Sequence, residues 1–170
     1  MNLSILGIDP GTKITGYGVI KMTENKISCL DYGILKTDEK KFSGRIQNLH
    51  TDIKHLCKKY RPHHIAIEKV FFGNNPDTAF KLGHIFALCL LESKNQNIEF
   101  FEYASRFVKK SVTFSGKSSK EMTGHFIRNF FSLKEVKGPL DGTDALAVAL
   151  CHSYEYKKKI SLQKLKRTVL

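Results

Sequence analysis

Apolar and polar positions along the chain change period several times, and each change predicts an element. Leu3–Ile8 is a compact apolar run closed by Asp9-Pro10-Gly11, a turn signal. Gly16–Met22 and Lys26–Leu35 are rich in β-branched and aromatic residues, and Glu24-Asn25 between them reads as a hairpin turn, which makes the pair antiparallel strands. The period then lengthens. Phe42, Ile46, Leu49, Ile53, Leu56 and Tyr60 recur at helical spacing until Pro62 stops the pattern. In His64–Glu68, Ile65, Ala66 and Ile67 are continuously apolar, as in a strand buried on both faces. Asn75-Pro76-Asp77 supplies a cap, a residue suited to the first helical position and an acid favoured by the positive helix end, so a helix is predicted from Pro76 to about Lys94. Ile98–Tyr103 reads as a fifth strand. Helices are predicted near Ser105–Val112, over Ser118–Phe131 and over Asp141–Tyr156. A hairpin followed by β-α-β units predicts an α/β fold, a mixed five-stranded sheet flanked by helices.

Composition adds a partner class. The 28 Lys and Arg against 16 Asp and Glu give a net charge of +12. Six of the cations and no acid fall within 157–170, which leaves a surplus of six over residues 1–156. We therefore expect one domain over 1–156 and a basic C-terminal tail over 157–170, and the basic surface points to a polyanion such as nucleic acid. No apolar run is long enough to span a membrane, and the first residues lack a signal-peptide pattern, so a cytoplasmic protein with no membrane partner is expected. Cys29, Cys57, Cys89 and Cys151 show neither zinc-ligand nor redox spacing and read as reduced small hydrophobes. The Pro76–Lys94 helix is apolar on more than one face (Phe80, Leu82, Ile85, Phe86, Leu88), which fits either a dimer surface or a buried helix.

The acids change the picture further. Asp9 ends the first strand and Glu68 the fourth, so parallel pairing of those strands would bring both to one sheet edge. Asp141 and Asp144 open the last helix, and i, i+3 spacing puts both on one face. Each has a plain structural use as well: Asp9 as a turn residue, Glu68 as a solvated strand end, Asp141 as an N-cap and Asp144 as a first-turn acid favoured by the helix dipole. Together, four converging carboxylates in a basic protein repel one another unless a cation lies between them. Two Mg²⁺ ions on such oxygen ligands could activate water, neutralise a phosphodiester and stabilise the leaving alkoxide.

The motifs that carry these acids resemble the RuvC family. Ile5-Leu6-Gly7-Ile8-Asp9-Pro10-Gly11-Thr12 with Thr15-Gly16-Tyr17-Gly18-Val19, Ile65-Ala66-Ile67-Glu68-Lys69-Val70-Phe71, Phe101-Glu102-Tyr103-Ala104 with Val108-Lys109, and Asp141-Gly142-Thr143-Asp144-Ala145-Leu146-Ala147 follow one another in the family's order and spacing. The resemblance implies a ribonuclease-H-like fold and a homodimeric endonuclease that resolves four-way DNA junctions, leaving ligatable 5′-phosphate and 3′-hydroxyl nicks. It implies Asp9, Glu68, Asp141 and Asp144 as ligands of two Mg²⁺ per site, for which Mn²⁺ can substitute. It implies Phe71 as an aromatic that stacks on a base near the crossover, and Lys109 and Lys120 as cations near the scissile phosphate. It also implies cooperation with the RuvA–RuvB branch-migration complex. Two positions depart from the pattern: Lys69 stands where glutamine is common, and the loop before Lys120 reads Phe114-Ser115-Gly116, with its first glycine replaced. Other readings on the same pattern are a ribonuclease-H-like nuclease with another nucleic-acid substrate and a non-catalytic DNA-binding module. The Asp-x-Gly-Thr opening also occurs in sugar kinases and actin-like ATPases, which need two such domains.

Overall fold

The computed structural model of the chain describes residues 2–36, 38–70, 75–133 and 140–168. Strands β1 (Asn2–Asp9), β2 (Ile14–Thr23) and β3 (Ile27–Lys36) form an antiparallel meander. After helix α1 (Phe42–Tyr60), strand β4 (His64–Glu68) pairs parallel with β1. After helix α2 (Pro76–Asn95), strand β5 (Glu99–Tyr103) pairs parallel with β4. The strand order is therefore β3-β2-β1-β4-β5, the mixed five-stranded sheet expected from the sequence. Helices α3 (Ser105–Thr113), α4 (Lys120–Phe131) and α5 (Asp141–Thr168) complete the chain.

Alternation along the strands builds two cores. Leu3, Ile5, Ile20, Met22 and Ala66 turn to one face and pack under α3, α4 and α5. Leu6, Ile8, Val19, Ile65 and Ile67 turn to the other and meet Leu49, Ile53, Leu56, Ile85 and Cys89 of α1 and α2. The continuous apolar run of β4 thus reflects burial on both sides. Among the described residues no helix is long and apolar enough to cross a membrane. All four cysteines are free, and Cys57, Cys89 and Cys151 are buried.

Three boundaries differ from the sequence reading in instructive ways. α4 starts at Lys120 rather than Ser118, because Ser119 caps it by accepting from the Met122 N–H at 3.2 Å. Asp141 is the first residue of α5 rather than its cap, since the Leu140 carbonyl already accepts from the N–H groups of Thr143 and Asp144, both at 2.9 Å. α5 does not end at Tyr156. It runs on to Thr168 through most of the segment expected as a tail, because Lys157–Thr168 contains neither Gly nor Pro to stop it.

α5 lies unusually close to the sheet, and glycines make room for it. A Cβ on Gly7 would stand 2.1 Å from the Ala145 carbonyl oxygen and 2.8 Å from the Ala149 Cβ; one on Gly16 would stand 1.9 Å from the Asp141 carbonyl oxygen. These contacts seat the first three turns of α5 against β1 and β2. Gly7→Ala should therefore lower the unfolding free energy by about 2 kcal/mol or more, since helix and strand backbones, not flexible side chains, must give way. Urea denaturation checks this: the midpoint should fall with an unchanged slope.

Candidate active site

The C-terminal ends of β1 and β4 and the N-termini of α4 and α5 meet at one edge of the sheet. In the parallel register Ile8 pairs with Ile67, so Asp9 and Glu68 follow side by side at the strand ends. α5, seated on Gly7 and Gly16, brings Asp144 and Asp141 to the same place. Asp9, Glu68 and Asp144 line a hollow of about 40 Å³ with Ser105, Val108, Lys109, Lys120, Thr123 and Ala147. By the volume that a water occupies, this is room for roughly one to three small species such as waters.

Lys120 stands among three of the carboxylates. Its Nζ lies 2.9 Å from Asp144 Oδ2, 3.8 Å from Asp9 Oδ2 and 3.9 Å from Asp141 Oδ1. The contact with Asp144 is the shortest of the three, and there the ammonium is both counter-ion and hydrogen-bond donor to an enclosed carboxylate. Among the described residues no three His, Cys, Asp or Glu side chains already stand as a metal-binding cluster.

The electrostatics are those of a crowded anionic site. Burial, then the charge of Glu68, pushes the Asp9 carboxyl up to about 7; Asp144 and Asp141 add to this and Lys120 opposes it. Burial also raises Glu68, against a hydrogen bond from Ser105 and the charges of Lys120 and Lys109. Asp144 is raised by burial and by Asp141, and drawn back chiefly by Lys120. On Lys120 itself burial pulls downward, but Asp144, Asp9 and Asp141 outweigh it and the ammonium is stabilised.

Carboxylate oxygens enclosed at one edge, and an aspartyl group that resists ionisation beside three other acids, fit a hard cation with oxygen ligands. Asp9, Glu68, Asp141 and Asp144 are the residues that would hold it.

Of the residues singled out in the sequence, the four acids, Lys109 and Lys120 thus come together at one edge. Phe71 lies outside the described residues. Lys69, after Glu68, reaches Glu102 at 3.6 Å on the surface. Two further residues belong to the site without having been anticipated. Ser105 opens α3 and hydrogen-bonds Glu68. Thr123, buried one turn after Lys120 on α4, donates to the Ser119 carbonyl at 3.0 Å and closes the floor. The i, i+3 spacing of Lys120 and Thr123 was the only available signal for the latter.

Comparison with known proteins puts this geometry in a family. The profile described as Crossover junction endodeoxyribonuclease RuvC matches residues 5–152. The protein of that description from Bdellovibrio bacteriovorus is 40% identical over 165 residues, covering 96% of this chain and 98% of its own. That from Ruminiclostridium cellulolyticum is 40% identical over 154 residues, 90% and 93% of the two chains. Among solved structures, Thermus thermophilus RuvC in complex with a Holliday junction substrate superimposes with a TM-score of 0.80 at 25% identity, over 92% of this chain and 96% of that one. The yeast mitochondrial Holliday junction resolvase Ydc2 shares the fold, with a TM-score of 0.62 at 15% identity over 86% and 76% of the chains. The fold is ribonuclease-H-like, as the resemblance implied.

Proposed function

The chain belongs to the RuvC family of crossover junction endodeoxyribonucleases, and from that premise we propose how it acts. It is a structure-selective DNA endonuclease that resolves Holliday junctions in recombination and repair. Cleavage is carried by the carboxylate edge, and the observation that supports this most directly is the meeting of Asp9, Asp141 and Asp144 around one cation, Lys120, with Glu68 lining the same hollow.

The nucleases of this family are metal-dependent, and two Mg²⁺ ions on the four carboxylates, or Mn²⁺ in their place, would supply an activated water and neutralise the phosphodiester. The protein's own residues prepare that event. Asp9 and Asp144 present their carboxylates to a buried hollow, where ionic interactions are strong. Ser105 orients Glu68. Lys120 turns from the carboxylates to the scissile phosphate when DNA arrives, with Lys109 beside it, and the pair offset the charge that develops on phosphorus. Phe71 stacks on a base near the crossover. The products are a 5′-phosphate and a 3′-hydroxyl.

A four-way junction offers two related strands, and two copies of the chain would present two such sites about a two-fold axis. α2 supports this pairing. Its inner positions are spent on the core, with Ile85 and Cys89 buried. Its outer stripe is open: Phe80 is 70% exposed and Leu91 60%, and a Cβ on Gly83 between them would meet nothing within 4 Å. A homodimer formed through this stripe would work with the RuvA–RuvB complex on branch-migrating junctions in the cytoplasm.

The test is cleavage of a synthetic mobile four-way junction beside linear duplex, with Mg²⁺ and with EDTA. Paired, ligatable nicks on the junction alone, absent in EDTA, are expected. Binding without cutting under any divalent ion would make the chain a binding module, and equal cutting of linear DNA or RNA a nuclease of different substrate.

A further inference from the structure

α3 separates two hollows. Ser105, Val108 and Lys109 face the carboxylates, whereas Arg106, Phe107 and Lys110 face the opposite way. On that far side they line an open hollow of about 630 Å³, which Phe114 and Lys117 complete. Among the described residues no acid contributes to its lining. Phe114 is the most exposed large apolar side chain among the described residues, at 87%, and Phe107 beside it is 41% exposed.

Phe114 is also held in an unusual conformation. It caps the C-terminus of α3 with φ 61° and ψ 5°, the left-handed region where glycine or asparagine sits without strain. The turn that follows is built rather than loose. The Thr113 hydroxyl donates to the Lys109 carbonyl at 2.8 Å and lies 2.6 Å from the hydroxyl of Ser118, a residue only 5% exposed. The Ser118 hydroxyl lies 3.0 Å from the Ser115 carbonyl, and the Lys117 N–H donates to the Ser115 hydroxyl at 3.3 Å. These bonds fix the backbone so that an aromatic ring stands outward where no packing requires one.

We propose that Phe114, with Phe107 and the cations Arg106, Lys110 and Lys117, forms a second DNA subsite across α3 from the carboxylates, which takes an unstacked base on Phe114 and its flanking phosphates on the cations. Three cations without an acid match a phosphate backbone and not an apolar protein surface. An exposed ring offers any base a stacking face. The shared helix α3 makes the subsite continuous with the cleavage edge, so a strand can engage both. The proposal rests on the nuclease reading above.

The test uses the full chain and four-way junctions carrying 2-aminopurine at successive positions around the exchange point, in Ca²⁺ for binding and Mg²⁺ for cleavage. Phe114→Gly removes the ring and relieves the backbone, so it should melt at or above the wild-type temperature, bind about five- to a hundredfold more weakly and lose the fluorescence change at one position. Phe114→Tyr should retain both. Lys110→Ala with Lys117→Ala should lower the salt slope of binding by about two. Wild-type affinity and fluorescence in Phe114→Gly, from a protein that does cut junctions, would overturn the proposal. So would a fluorescence change lost only in Phe71→Ala. A wild-type chain that neither binds nor cuts junctions would overturn the nuclease reading itself.

Discussion

Asp9→Asn should lower junction cleavage about a thousandfold while leaving junction binding intact or slightly tighter. The size follows from the several kcal/mol that a correctly held metal contributes to a phosphoryl transition state. Binding is spared because Asp9 offers DNA only repulsion. The same substitution separates the catalytic role from a structural one through stability. The Asp9 carboxyl stands near 7 in the folded chain against an ordinary value of 3.8, because it is buried and faces Glu68. A raised acid means that the folded state holds the proton longer than the unfolded state, so stability falls as pH rises through that interval. In metal-free buffer at pH 8, where Asp9 is forced to ionise, the neutral asparagine should raise the melting temperature. Mg²⁺ should stabilise the wild type and do less for the variant. Full cleavage by Asp9→Asn would place the reactive metal elsewhere. A melting temperature that drops in the absence of metal would make Asp9 a structural turn residue.

Most of the architecture was legible because it rests on period and punctuation. Alternation marked the strands, and the shift to helical spacing at Phe42 marked α1. Pro62 and Asn75-Pro76 set boundaries that the fold keeps to within a residue. What period cannot show is where a helix stops once it leaves the core. Up to Ser153 α5 is buried on all sides, and beyond it Lys157–Lys159 break the apolar pattern, which reads as an end. The backbone responds to a different rule. Lys, Leu and Gln are good helix formers, and with no breaker the last turn simply propagates to Thr168.

The site divides along a similar line. Four acids at strand ends and a helix start were visible because topology alone brings such positions to one edge. The seat that makes them converge was not, since Gly7 and Gly16 act by lacking a side chain, and only the backbone approach of α5 shows why. Ser105 and Thr123 look like ordinary first-turn residues until Glu68 and Lys120 are beside them. Phe114 read as a missing glycine; only its backbone angle and exposure show a ring placed outward.

Lys120→Ala should slow cleavage about a hundred- to a thousandfold without weakening metal binding. Lys120 has two possible duties, and the structure sets them in opposition. As counter-ion to Asp144, Asp9 and Asp141 it screens a repulsive cluster, and in that duty a bound cation replaces it outright. If screening were all it did, the alanine variant would be less stable without metal, and Mg²⁺ would restore both stability and full cleavage. If instead the ammonium meets the phosphate, metal restores stability but not rate, since the charge developing on phosphorus has lost a donor that nothing replaces. Calorimetric titration with Mg²⁺ or Mn²⁺ should then show affinity equal to or above the wild type, because the competing ammonium is gone, while single-turnover cleavage remains low. Lys120→Arg should keep part of the rate, since it retains the charge but spreads it over a planar fork on a different stem. Loss of metal affinity in Lys120→Ala would mean that the lysine holds the carboxylates in place for the ion, and that its influence on cleavage passes entirely through them.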